Sequence, residues 1–314
     1  MNEPTGQGWS QHMVHGTARA LEASGPARCR SGSGRAFFIQ ARVFEISRTI
    51  LFDESSFLTQ PAWMRLSREM QNNDKDGDGW RPLDSLLDIM VMCSRLGSVL
   101  RSRYVEIMDL EAPTSDQALK DDDRKRVILS RNEDDGQPAA EARSVYEDGH
   151  ALREALDGWY AAYGNFENSP GAGDDRCKGE GDDSTLVSRV FFAAISIYLS
   201  GIFDYGITCW KQLGLEPPTL DDATIQAHLS GILRSTRHAL QQTTLSPLLF
   251  LFPLRIAGAR ARSEWQRERV LELIGTVEKK GGFAAAGAVS MELQEIWQLF
   301  GVGRIATDQE TLEY

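Results

Sequence analysis

The sequence is poor in the residues that build metal modules and disulfide frameworks. Its 314 residues hold four cysteines, Cys29, Cys93, Cys177 and Cys209, with no C-x-x-C spacing among them. That excludes a cysteine-built zinc module and leaves no disulfide framework, so a reducing compartment is the default. Histidine is nearly as scarce, at five residues. Long apolar runs are missing as well. The longest strongly apolar stretch, Leu248 to Leu254, falls far short of the ~20 residues a membrane-spanning helix needs. No compact apolar region follows a basic start, as it would in a secretory signal. The terminal Leu312-Glu313-Tyr314 matches no lipidation or retention signal. The expectation is a protein of the nucleus or cytoplasm with no membrane partner. Positive charge is also short: 34 Lys+Arg face 45 Asp+Glu, a net charge of −11. Phosphate contacts need positive charge, so no direct DNA binding is expected of this chain alone. The nucleophile elbow G-x-S-x-G, the phosphate loop and G-x-G-x-x-G are all missing, and no repeat of fixed period stands out. No cofactor is therefore expected.

What is present is helical periodicity. Ile39, Val43, Ile46 and Ile50 follow i, i+4, i+7, i+11 spacing and build one apolar face. Leu83, Leu86, Leu87, Met90 and Val91 do the same and continue to Leu96 and Leu100. Leu186 to Trp210 is apolar nearly all round, the pattern of a central buried helix. Val270, Leu273, Ile274 and Val277 form another stripe, and Leu293, Ile296, Trp297 and Phe300 the last. Leu248 to Phe252 would suit a short strand, but Pro247 and Pro253 flank it, which favours a kinked or broken helix. The fold class expected is all-α, about eight to ten helices in one domain over 1–314.

The charge is uneven. Residues 109–183 hold 20 acidic and 9 basic side chains, a balance of −11, while the rest has 25 of each. Such runs cannot pack into a core. They read as acidic disordered loops, about 109–141 and 167–184, around a helix near Ala142 to Tyr163. Ser31-Gly32-Ser33-Gly34 reads as a flexible loop.

Few residues offer chemistry. Asp74, Asp76 and Asp78 have the D-x-D-x-D-G spacing of a calcium loop, but Pro82 and Ser85 stand where the later ligands belong. Asp84 or Asp88 would serve only in a rearranged loop. The simpler reading is an Asp/Gly turn capping the helix from Leu83. Asp204 interrupts the apolar Ile202-Phe203-Asp204-Tyr205 and is an acid/base candidate if buried; the competing role is to cap a helix or accept from an arginine. His12 and His15 share a helix face at i, i+3, without a third metal ligand. His12 and His238 complete the set of acid/base candidates with Asp204. Asp221-Asp222 reads as a helix N-cap. Lys279-Lys280 and Arg124-Lys125-Arg126 are the only compact basic groups.

The order of unusual residues is more specific than any single motif. Trp9-x-x-His12-x-x-x-Gly16 is followed by Ala20-Leu21 and Gly25-Pro26. Phe37-Phe38, Arg42, Glu45-Ile46, Ser56-Phe57-Leu58 and Pro61-Ala62-Trp63 come next. Leu199 to Tyr205, Phe252 to Ala257, Gly282-Phe283-Ala284 and Glu295-Ile296-Trp297 complete the series. The series resembles the fungal-specific transcription factor domain, the regulatory region of zinc binuclear cluster activators. The resemblance covers roughly Trp9 to Gln298, apart from the acidic middle. It implies an all-helical regulatory, effector-sensing domain; protein partners or a small-molecule effector are expected, and a homodimer is a further expectation. It also implies that Trp9, His12, Arg42, Trp63, Arg255 and Trp297 hold the fold together. The six-cysteine DNA-binding module usual in the family has no counterpart here. Transcriptional regulation in a fungal secondary-metabolite gene cluster is the first expectation. The alternative is the same fold reused as a biosynthetic cyclase or isomerase acting on a polyketide or terpenoid intermediate.

Overall fold

The computed structural model of the chain describes residues 7–73, 81–111, 137–164, 180–204, 210, 213–282 and 284–309. Ten α-helices and no strand occur among the described residues. In chain order they are α1 Gln7–Arg28, α2 Gly32–Leu51, α3 Pro61–Asn73, α4 Pro82–Glu111 and α5 Gln137–Tyr163. There follow α6 Glu180–Ile202, α7 Asp222–Gln242, α8 Leu251–Ala259, α9 Glu264–Gly281 and α10 Ala284–Gln309. Two short 3-10 turns, Phe57–Thr59 and Pro247–Phe250, precede α3 and α8.

Helix α6 is the axis of the fold, with α4, α5, α7 and α8 packed around it. Its sequence explains the position. Val187, Val190, Phe191, Ala194, Ile195, Ile197 and Leu199 are all buried, and they point to several sides of the helix. Contrary to the expectation that no segment has a membrane span's composition, residues Asp183–Ile202 do have that length and apolarity. Two thirds of that window is buried against neighbouring helices. The helix starts six residues before Leu186 and stops at Ile202, short of the expected Trp210. Phe203 and Trp210 then meet with ring centroids 5.6 Å apart.

The helices also run into the acidic stretches. Residues 109–111, 137–141 and 180–184, read as loop from composition, are helical. Extending a helix already nucleated by its packed turns costs little, so short polar segments at a helix end continue it. The rest of the two acidic stretches lies outside the described residues. So do Asp74, Asp76 and Asp78.

The Ser31–Gly34 run is a correction of substance. It is not a loop: Ser31 is the N-cap of α2, and Gly32 to Gly34 form the first turn. Helix α1 kinks at Gly25-Pro26, where Gly25 adopts φ 71, and the chain doubles back tightly. A Cβ on Gly34 would lie 2.1 Å from the Arg28 carbonyl oxygen. Gly34 is small because the α1–α2 hairpin leaves no room there, whereas Gly32 has open space and is required by its φ of 57. The Pro247–Phe252 segment is a broken helix, as its two prolines require: a 3-10 turn leads into α8, and Pro253 lies in the first turn of α8, where no backbone donor is needed.

Polar ties fix the helices against one another. Arg153 of α5 donates from Nη2 to Ser200 Oγ (2.9 Å), Ser196 O (3.1 Å) and Pro218 O (3.2 Å). It thereby joins α5, α6 and the segment leading to α7. Trp297 Nε1 donates to Gly258 O at 2.9 Å and its ring lies beneath Arg267. Arg255 pairs with Glu292 across α8 and α10. Arg42, Trp63, Arg255 and Trp297 thus have structural partners in the fold. The side chains of Trp9 and His12 lie outside the described residues, although both belong to α1.

Candidate functional site

An apolar pocket sits where α2, α3 and α4 meet. Its volume is about 160 Å³. Helix α2 contributes Phe38, Arg42 and Ile46, and the first 3-10 turn Leu58. Helix α3 contributes Trp63, Met64, Ser67 and Arg68, and α4 contributes Leu87, Asp88, Val91 and Met92. The i, i+4 periods of α2 and α4 direct these residues to one side of each helix. Trp63 forms a rigid wall: its ring stacks on Phe38 at 5.8 Å and 17°, and Phe57 meets it edge-on at 5.0 Å.

A buried charge cluster closes one end. Arg42 Nη2 donates to Asp84 Oδ1 at 2.8 Å, and Nη1 to Asp88 Oδ1 at 3.0 Å and Ser67 Oγ at 3.1 Å. The Arg42 and Asp84 side chains are 3% and 0% exposed, whereas Asp88 is 32% exposed. Asp84 is occupied twice over. Its Oδ2 accepts from Arg81 N at 2.9 Å, the reach-back of an N3 carboxylate that stabilises a helix start. Asp84 thus caps α4 from within its first turn, while the Asp/Gly turn read as its cap lies outside the described residues. Arg42 crosses from α2 to both carboxylates on α4 and ties the two helices together.

Burial raises the Asp88 carboxyl above the ordinary aspartate range, against the opposing pull of Arg42 and Ser67. Asp221 shifts the other way: bonds from Thr224 N and Thr224 Oγ1 hold it below that range. It is the N-cap of α7 expected from the sequence. The two titrations therefore have opposite consequences. The native Asp88 keeps its proton to higher pH than the unfolded chain does. Its contribution to stability is greatest at low pH and declines as pH rises from the ordinary aspartate value through its own. The contribution of Asp221 is present above the ordinary value and is lost as pH falls through its depressed one. Carboxyl carbon NMR titration checks this: Asp88 is expected to titrate above, and Asp221 below, an exposed aspartate. Coincident midpoints would contradict the site as described.

A second polar cluster buttresses the pocket wall. Glu45 Oε2 accepts from Arg48 Nε at 3.1 Å, and Glu45 Oε1 from Ser56 Oγ at 3.1 Å. Arg48 also pairs with Glu54. Burial pulls the Arg48 guanidinium down, but the bonds and charges of Glu45 and Glu54 outweigh it and hold it above its usual value. Ser56 Oγ also accepts from Leu58 N at 3.2 Å and so fixes the turn that presents Phe57 and Leu58.

The acid/base candidates are not gathered. Asp204 is half-exposed in the turn after α6 and pairs with Arg260, the arginine-accepting role weighed against catalysis. Arg260 O accepts from Gln226 in the second turn of α7. His238, exposed on α7, lies 12 residues further along, about 18 Å at the helical rise. The side chain of His12 lies outside the described residues. No group of three or more His, Cys, Asp or Glu suited to a metal ion occurs among the described residues. Of the pocket's polar residues, Arg42 was legible as an unusual residue in an apolar helix face. Asp88 entered the sequence reading only as a substitute ligand in a rearranged calcium loop, not as a pocket residue. The available signal was its place four residues after Asp84, beside the apolar stripe of α4.

A family model described as "Fungal specific transcription factor domain" matches residues 8–299, nearly the whole chain. No curated protein and no solved structure matches it.

Proposed function

The chain belongs to the family of fungal specific transcription factor domains, and from that membership we propose that it regulates transcription within a fungal secondary-metabolite gene cluster. The match over residues 8–299 carries the regulatory part of this reading. The chain acts in the nucleus, through protein partners or a small effector rather than through DNA. Its net charge of −11 supports the latter, since an acidic chain is repelled by phosphates.

The effector acts on how the helices pack. Arg42 joins α2 to α4 beside the pocket, and a molecule seated there biases one packing of those helices over another. A population shifts only by the effector's differential affinity, about 1.4 kcal/mol for each tenfold change. Deleting the gene in its host and measuring cluster transcripts together with the metabolite profile tests the proposal. Transcripts and metabolite are expected to fall together. Unchanged transcripts with one accumulating intermediate would overturn it in favour of a cyclase or isomerase.

A further inference from the structure

We propose that the α2–α3–α4 pocket binds a neutral molecule the size of one aromatic ring, bearing a hydroxyl that donates to Asp88. This names the effector class for the regulatory reading above and rests on that reading for its biological role.

Size comes first. The cavity of about 160 Å³ is close to the roughly 150 Å³ of an apolar cavity able to hold benzene. It falls short of the roughly 300 Å³ or more typical of a pocket for a drug-sized ligand. Trp63 and Phe38 stack on each other and are almost wholly covered, so they set a rigid apolar floor, while the less buried Met64 and Met92 offer a guest adaptable apolar contact. Ile46, Leu58, Leu87 and Val91 complete a lining with little to offer an extended polar ligand.

Charge decides the rest. Asp88 lines the pocket and keeps a third of its side-chain surface open, whereas Asp84 is sealed behind Arg42. A carboxylate offers about four acceptor positions, so the bonds from Arg42 and Ser67 leave capacity for a donor in the pocket. An anionic guest would meet that carboxylate head-on. A cationic guest would leave water to sit near both Arg42 and Arg68, at a desolvation cost that one shared carboxylate does not offset. A neutral hydroxyl avoids both penalties.

The test uses the full chain, with 4-fluorophenol and fluorobenzene as probes followed by fluorine NMR at neutral pH, where a phenol is uncharged. Saturable binding of 4-fluorophenol is expected, roughly three- to tenfold tighter than fluorobenzene, the worth of one hydrogen bond. Asp88→Ala should abolish this preference while both probes still bind. Should Asp88→Ala fail to fold, Asp88→Asn takes its place and should shrink the preference. Met64→Trp, at a half-buried wall position, should fill the space and abolish binding of both. Three results each overturn the proposal: no saturable binding to the wild-type chain, a preference unchanged without the Asp88 carboxylate, or binding unaffected by Met64→Trp. The two readings fail separately. If the probes bind as expected but deletion leaves cluster transcripts unchanged, the site stands and the regulatory reading falls. If transcripts collapse on deletion but no probe binds, the site falls and the regulatory reading stands.

Discussion

Replacing Arg42 by methionine is expected to cost the folded chain about 3–5 kcal/mol, because it leaves a fully buried carboxylate without its main counter-charge. Asp84 would keep only the Arg81 backbone donor at 2.9 Å and a longer contact to the exposed Arg81 guanidinium at 3.4 Å. Asp88 would lose its partner at the pocket, and Phe38 the guanidinium 5.5 Å from its ring centre. Arg255→Met is the matched control. That arginine also bridges two helices, to Glu292, but the pair is partly solvated, with side chains 22% and 39% exposed. Its loss should cost about 1 kcal/mol or less. Adding Asp84→Asn to Arg42→Met should restore part of the loss. The amide carries no unpaired charge and still accepts from Arg81 N. Equilibrium urea unfolding of the four chains measures all of this. Equal losses for Arg42→Met and Arg255→Met would mean that the buried cluster does not tie α2 to α4.

The second large effect lies at the centre of the bundle. Phe191→Ala is expected to destabilise the chain by about 3–5 kcal/mol, the transfer loss of a buried ring plus the cavity it leaves. Phe191 is fully buried on α6, and its ring centroid lies 5.8 Å from that of Phe252 on α8. Adjacent Phe192 faces another side of the same helix and is only half-buried. It stacks on Trp159 at 5.4 Å and Tyr160 at 5.0 Å, and Phe192→Ala should cost about 1–2 kcal/mol. Both losses are expected because α6 is enclosed on several sides. A negligible loss at Phe191, read from the same unfolding curves, would place the axis of the fold elsewhere.

The sequence by itself determined the helices and their buried faces. Val270, Leu273, Ile274 and Val277 are all buried, as their spacing requires, and Asp221 caps α7 where its side chain can reach the backbone three residues on. The break around Pro247 and Pro253 was legible for the same reason: a missing backbone donor acts within one turn. Periodicity, caps and prolines act over a few residues, so the linear order contains them. The family likewise followed from residue order, not from any one motif.

Only the tertiary structure decided which charges meet. Arg42 pairs with partners 42 and 46 positions away, and no spacing rule links α2 to α4 over that distance. Ser31–Gly34 looks like a loop because its composition is that of one; it is a helix start whose glycines serve the returning α1–α2 hairpin, Gly34 by its close approach to Arg28 and Gly32 by its positive φ. Asp204 stands in an apolar run, yet it is half-exposed and paired with Arg260, since the turn after α6 points it out of the core. The pocket is the space that three helices leave between them. Its volume depends on how Phe38, Trp63 and Leu87 interlock across elements, and close packing of side chains far apart in the chain has no linear signature.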